Sequence, residues 1–290
     1  SSVAYATDAA LGVLILAGSG ALSLSLPITI TIVALIAIVV FSYRQTITAY
    51  PQGGGAYVVG RANLGTLASL VAAASLLIDY VLTAAVSLMA GTQALSSLWP
   101  WLLNWQVLFA LVLLVLVGWA NLRGVREAGR LFALPTYAFV VMVVVLAAAG
   151  LQNLIFSHGF SPDPPPLVKA VEPLGLFLIL RAFSSGCSAM TGIEAIANGV
   201  KVFREPAAKR AQRTMLVMGV MLSLMFLVVS GLGWLYGVAP NPDRTVLAQI
   251  GMRVFGDDSP LFWALQISTL LILALAANTA FAGFPRLAAM

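Results

Sequence analysis

The chain has 290 residues, of which 61% are hydrophobic and only 9% charged, with a mean hydropathy of +1.00. A soluble domain carries about 25% charged residues, so this composition excludes an ordinary soluble protein. One cysteine and one histidine leave no disulfide framework within the chain, no metal-ligand cluster and no basis for His-based catalysis. The net charge of +5 would suit nucleic acid, but its distribution assigns it to membrane topology instead. No signal peptide is recognisable.

Windows of about 19 apolar residues pick out eight segments. They are Val3–Ala21, Leu24–Ile47, Leu64–Leu95, Trp105–Asn121, Leu131–Ile155, Leu174–Gly199, Met215–Val238 and Leu261–Phe284. The connections carry turn residues, among them Pro51-Gln52-Gly53-Gly54-Gly55 and Pro240-Asn241-Pro242. Each segment is expected to be helical, because isolated strands leave backbone groups unpaired in lipid. The predicted class is therefore all-α and multi-pass, with one transmembrane domain over residues 1–290. The chain opens on Ser1 and closes at Met290 just after an apolar run, which reads as a fragment of a longer protein with a partial first helix.

The basic residues sort by side. Arg44 and Arg61 flank the 2–3 connection, and Arg123, Arg126 and Arg130 lie in the 4–5 connection. Lys201, Arg204, Lys209, Arg210 and Arg213 fill the 6–7 connection, and Arg286 follows segment eight. The opposite face holds Lys169, Arg244 and Arg253 among Asp163, Glu172, Asp243, Asp257 and Asp258. This positive-inside pattern predicts that the 2–3, 4–5 and 6–7 connections are cytoplasmic.

Asp79 lies near the middle of the Leu64–Leu95 run, close to the bilayer midplane. An ionised Asp there costs about 2.5–3.5 kcal/mol on insertion scales, so it implies a polar partner at mid-depth. Asp79, Thr83 and Ser87 repeat every four residues and share one helix face, with Tyr80 beside them. In segment six the string Ser184-Ser185-Gly186-Cys187-Ser188-Ala189-Met190-Thr191-Gly192 is poorly suited to a continuous helix. A break is expected over residues 184–192, and a second one near residues 1–7, where Ser1-Ser2 through Thr7 has similar texture. Unwound backbone at mid-membrane exposes carbonyls and half-helix ends that bind ions or carboxylates. Thr191 and Glu194 share a face just past the first break, with Asn198 one turn on, and Tyr5 and Thr7 sit at the second.

Carboxylate, hydroxyl, phenol and freed carbonyl oxygens form a hard-oxygen set. Such a set suits a monovalent cation or the ammonium group of an organic substrate, and suits transition metals poorly. Plainer readings stand beside these. Small residues also pack helices closely, Thr83 and Ser87 could back-bond to their own helix, and Tyr80 could be a packing residue. Asp79 and Glu194 could form a structural network with Arg181, and Asp8 reads as solvated near the outer end of segment one. Because a nearby cation favours the ionised form of a buried acid, either Asp79 or Glu194 is a candidate for a coupling proton.

Several strings resemble a known group. Ser2-Val3-Ala4-Tyr5 and Tyr50-Pro51-Gln52-Gly53-Gly54-Gly55-Ala56-Tyr57 look like an amino acid–polyamine–organocation superfamily permease. Leu77-Ile78-Asp79-Tyr80-Val81-Leu82-Thr83 and Asn121-Leu122-Arg123-Gly124-Val125-Arg126-Glu127 are more specific. With Arg181 through Ile196 and Asn278-Thr279-Ala280-Phe281, they are similar to the KimA branch of the KUP potassium–proton symporters. The resemblance implies a LeuT-type inverted-repeat core, with ion contacts from Tyr5, Asp79, Tyr80, Thr83, Ser87, Thr191 and Glu194. It also implies a further acid upstream of Ser1, and core helices and a dimerising tail beyond Met290.

The expectation is a secondary transporter of the plasma membrane that imports potassium with protons by alternating access. It needs no resident cofactor and no nucleic acid; its partners are potassium, protons, the lipid bilayer and, for the full-length protein, a second copy. An amino acid or amine permease of the same superfamily is the alternative. No nucleophile, metal set or cofactor motif points to an enzyme, and no repeated filter-like loop points to a channel.

Overall fold

The structure, a computed structural model, describes residues 1–288 apart from 52, 54, 124–128 and 160. For residues 129–132, 157, 158 and 286 it describes the backbone alone. Gln52 and Gly54 of the glycine-rich element, Gly124 through Glu127 of the 4–5 connection (Arg126 included) and Met290 lie outside the described residues.

Eleven α-helices follow one another among these residues, and no strand is present among them. Helix α1 is Val3–Leu14, α2 Ser25–Ala49, α3 Ala56–Asn63, α4 Thr66–Ser96, α5 Gln106–Leu122 and α6 Gly129–Asn153. Helix α7 is Leu176–Gly186, α8 Glu194–Asn198, α9 Ala207–Leu235, α10 Val246–Phe255 and α11 Pro260–Ala288. Among the described residues six stretches are long and apolar enough to cross a membrane: Ser19–Ala49, Thr66–Ser96, Pro100–Leu122, Ala133–Phe156, Ala207–Leu235 and Pro260–Pro285. The remaining two of the eight predicted segments are the short α1 and the interrupted pair α7–α8. The architecture is all-α and multi-pass, as expected from the apolar runs.

Helix boundaries depart from the apolar runs where something besides hydropathy decides them. Helix α9 starts at Ala207 rather than Met215, because Ala207, Ala208, Lys209, Arg210 and Gln212 are good helix formers that continue the helix beyond its apolar stretch. Segment one gives a true α-helix only to Leu14; tighter turns at Ile15–Ala17 and Ser19–Leu24 follow, separated by Gly18. Helices α3 and α10 lie in connections and were not expected from a search for spans. Helix α10 has ten residues, is capped by the Thr245 hydroxyl accepting from Ala248 N at 3.1 Å, and buries Val246, Leu247, Ala248, Ile250 and Gly251.

Packing divides the helices into two groups. Helix α2 runs along α9 and α1 packs on α7, while α4 runs along α11 with α5 beside both. The first group fills its interior with large side chains such as Leu14, Ile32, Ile36, Ile47 and Met215. Between α4, α5 and α11 the buried residues are Ala84, Leu88, Ala110, Ala277 and Ala280. Lipid is as apolar as leucine, so helices in a membrane gain from close approach, which small residues permit. The outward faces of α4 and α5 are apolar, including Leu67, Val71, Ile78, Val115 and Leu116.

Asp8 is a correction to the sequence reading. It is turned into the protein, where one carboxylate oxygen accepts from Val246 N at 2.7 Å, at the first residue of α10, and the other is buried without a partner. The carboxylate meets unpaired N–H groups at a helix start, where negative charge is favoured. Its neighbour Thr7 shares a 2.9 Å hydroxyl contact with Ser230 of α9.

Candidate cation-binding site

The break in segment six is narrower than its composition predicts. Ser184, Ser185 and Gly186 remain helical in α7; a tight turn follows at Cys187–Met190, and the helix is lost at Thr191 and Gly192. Thr191 is extended with φ −56° and ψ 130°, and Gly192 has φ 93°, a left-handed conformation that costs an L-residue about 1–2 kcal/mol. The second expected break is not found within residues 3–7. Helix α1 begins at Val3, so Tyr5 and Thr7 are helical, and only Ser1 and Ser2 precede it. The similarity between the two serine-rich strings is thus not mirrored in backbone conformation.

The interruption at 191–192 faces α4. Thr191 Oγ1 donates to Asp79 Oδ1 at 3.5 Å, joining residues far apart in sequence. Asp79 also faces the Thr83 hydroxyl. The Tyr5 hydroxyl points at Ser2, Ser87 and Thr191, with Asp79 in electrostatic range. Ser2 Oγ donates to the Thr191 carbonyl at 3.4 Å. Glu194 is 7% exposed; its Oε2 accepts from Gly192 N at 3.2 Å, and its Oε1 is buried without a hydrogen-bond partner. A cavity of about 280 Å³ lies against these groups, lined by Ser2, Tyr80, Thr83, Thr191, Glu194 and Asn198 among others. Asp79, Tyr5 and Ser87 are not in its lining; they stand behind it, tied to it through Thr191 and Thr83.

The plainer readings can be judged residue by residue. Ser69, Ser75, Thr92 and Ser96 of α4 all donate to carbonyls three or four residues back in their own helix. Thr83 and Ser87 are absent from that pattern. Ser87 is completely buried and its hydroxyl meets no partner at hydrogen-bond distance, though Tyr5 faces it. Tyr80 packs against Gly283 of α11 and lines the cavity as well, so packing and site roles coincide. Arg181 is exposed on α7 and belongs to neither ion pair among the described residues, which are Arg244–Asp257 at 3.7 Å and Arg253–Asp163 at 4.0 Å. A structural network of Arg181 with the two acids is therefore not formed. Among the described residues no group of three or more His, Cys, Asp and Glu comes together.

The sequence matches the amino acid permease family over residues 1–289. The chain belongs to that family. It is also 45% identical over 289 residues to a protein named potassium transporter KimA from Bacillus subtilis (strain 168). The alignment covers 99% of this chain and 47% of that relative, so the chain spans about half the relative's length. Permease membership, not an enzyme fold, thus accounts for the multi-pass helical architecture.

Within this permease the structure adds Tyr43 and Ser2 to the residues that the sequence singled out, and it gives Asn198, already placed one turn past Glu194, its surroundings. Tyr43 of α2 lies in electrostatic range of Glu194 and Tyr80. Asn198, at the end of α8, lines the cavity and faces the Tyr80 hydroxyl. Ser2 reaches the break from just before α1. Ser2 does fall in a string that carried the family resemblance, but the spacing of neither residue gives a sign of a place near the break. Only the crossing of α1 and α2 over α7 and α8 brings them there.

Proposed function

We propose that the full-length protein takes up potassium together with protons by alternating access, holding the cation between α4 and the interruption at Thr191–Gly192. The observation that carries this reading is the Thr191–Asp79 contact, which joins a freed stretch of backbone to a mid-membrane carboxylate beside Tyr80, Thr83 and Glu194. Oxygen dipoles and carboxylates replace a cation's hydration shell at such a site. The similarity to a potassium transporter supports potassium as that cation.

Potassium would contact Tyr5, Asp79, Tyr80, Thr83, Ser87, Thr191 and Glu194 as the interruption moves against α4. Glu194 is the better proton carrier of the two acids. A buried carboxylate oxygen without a partner is costly when ionised, and Glu194 Oε1 is such an atom, whereas Asp79 is half-exposed beside two hydroxyls. The distribution of basic residues supports a plasma-membrane orientation with the 2–3, 4–5 and 6–7 connections in the cytoplasm.

The test is potassium uptake by the full-length protein in potassium-starved cells, beside an Asp79→Asn variant. Uptake that depends on Asp79 is expected. The family description favours a second reading, an amino acid or amine permease. A substrate carboxylate at this cavity would meet Glu194, with Asp79 behind Thr191 and Thr83, so an amine fits it better than an anion. Labelled amino acid uptake without potassium uptake would replace the first reading with the second.

A further inference from the structure

Gly55 is extended, with φ −71° and ψ 175°, a conformation that any residue adopts. Its backbone therefore gives no reason for glycine, but its surroundings do. A Cβ on Gly55 would overlap Asn198 Oδ1 and lie 2.7 Å from Asn198 Cγ. A Cβ on Gly53 would come within 3.1 Å of the carbonyl of the same asparagine. The end of α8 is thus seated in a notch formed by two glycines of the 2–3 connection.

The two sides of this contact are held differently. On the 2–3 side, α3 is braced within itself and to the preceding helix. Asn63 Nδ2 donates to the Tyr50 hydroxyl and to the Val59 carbonyl, each at 2.8 Å, and Arg61 donates to the Tyr57 hydroxyl at 3.0 Å. On the other side, α8 is a five-residue helix carried directly after the interruption at Gly192. Gly55, Tyr57, Val58, Asn198 and Gly199 all line the cation cavity. Asn198 also faces Tyr80, so one side chain touches both the cavity and its boundary.

We infer that Asn198 is a gating residue: its amide closes the end of the cavity nearest the 2–3 connection by seating at Gly55, and withdrawal of α8 opens that end. Which side of the membrane it opens to, the cytoplasm, rests on the transport reading above. The seat itself depends on no particular ion. A gate of this kind needs a small side chain that fills the notch without charge, and a glycine whose missing Cβ forms it.

The experiment uses the full-length protein with its other cysteines removed and Ala276→Cys introduced, since Ala276 lines the same cavity and is half-buried. A membrane-impermeant thiol reagent is applied to the cytoplasmic face of inside-out vesicles. Asn198→Ala is expected to raise the labelling rate about tenfold, as if a barrier of about 1.4 kcal/mol were removed. Gly55→Ala should raise it too, by displacing the amide, and the double variant should label no faster than Asn198→Ala alone. Asn198→Leu, which keeps the shape without charge, should label as slowly as the parent. Unchanged labelling in both single variants, or fully additive effects, would overturn the proposal. So would equal acceleration at Ala189→Cys, a buried control position, because that reports general loosening. The readout needs no transported ion, so its failure leaves the potassium reading intact.

Discussion

Helix α4 carries its oxygens to the cavity without interrupting a turn between Thr66 and Ser96, whereas the facing wall does so by losing its helix between Gly186 and Glu194. On α4, Asp79, Thr83 and Ser87 repeat at four-residue spacing, and the backbone keeps its own hydrogen bonds. On the other wall, the backbone itself becomes a ligand surface: the Thr191 carbonyl accepts from Ser2 and Gly192 N donates to Glu194. Irregular backbone at membrane depth persists only inside protein or along a cavity. One wall therefore presents a fixed array, and the other a short, interruptible segment whose ends can move. The difference suits a carrier, which must hold a cation and then release it to the other side.

The comparison can be broken at either wall. The largest effect is expected at Asp79, the charge of the fixed array. Asp79→Asn should lower potassium uptake about a hundredfold, since a charge-assisted contact is worth up to about 3 kcal/mol. On the interrupted wall, Glu194→Gln should leave measurable uptake but flatten its dependence on pH, because the neutral amide has no proton to release. Uptake that keeps its full pH dependence in Glu194→Gln would move the coupling proton to Asp79.

Gly192→Ala tests the backbone of the interrupted wall directly. A side chain at φ 93° should destabilise the purified protein by about 1–2 kcal/mol, seen as a lower Tm in detergent. The same substitution at Gly91 of α4, which has no positive φ but where an added Cβ would come within 3.2 Å of Leu270, would be governed by packing instead. The smallest effect is expected at Thr83. Thr83→Val should raise the KM for potassium about fivefold, from the roughly 1 kcal/mol of a neutral hydrogen-bonding group. Ser75→Ala, which removes a hydroxyl bonded to its own helix, should leave KM unchanged.

Much of the fold was legible because hydropathy is a direct record of burial in lipid. The predicted runs Leu64–Leu95 and Trp105–Asn121 fall within two residues of α4 and α5. What hydropathy misses is helix that does not cross: α3 carries Arg61 and polar residues, and α10 is half-buried and ten residues long. Composition located the segment-six interruption but overstated its length, since Ser184 and Ser185 stay in α7, and only after the tight turn at Cys187–Met190 is helix lost, at Thr191 and Gly192. The same composition at residues 1–7 gave a helix from Val3.

The candidate site was legible in part for a related reason. Four-residue spacing puts Asp79, Thr83 and Ser87 on one face, and charge in an apolar run demands company. Whether that company is Arg181 or Thr191 depends on how helices cross, which spacing within one helix does not encode. Asp8 shows the same limit: its partner, Val246 N, lies on a helix that the search for spans passed over.

The most direct test of a cation held between the two walls is equilibrium binding of radioactive rubidium to the purified full-length protein, with potassium and amino acids as competitors. The account predicts displacement by potassium, no displacement by neutral amino acids, and loss of binding in Asp79→Asn. Undiminished rubidium binding in Asp79→Asn, or displacement by an amino acid and not by potassium, would contradict it.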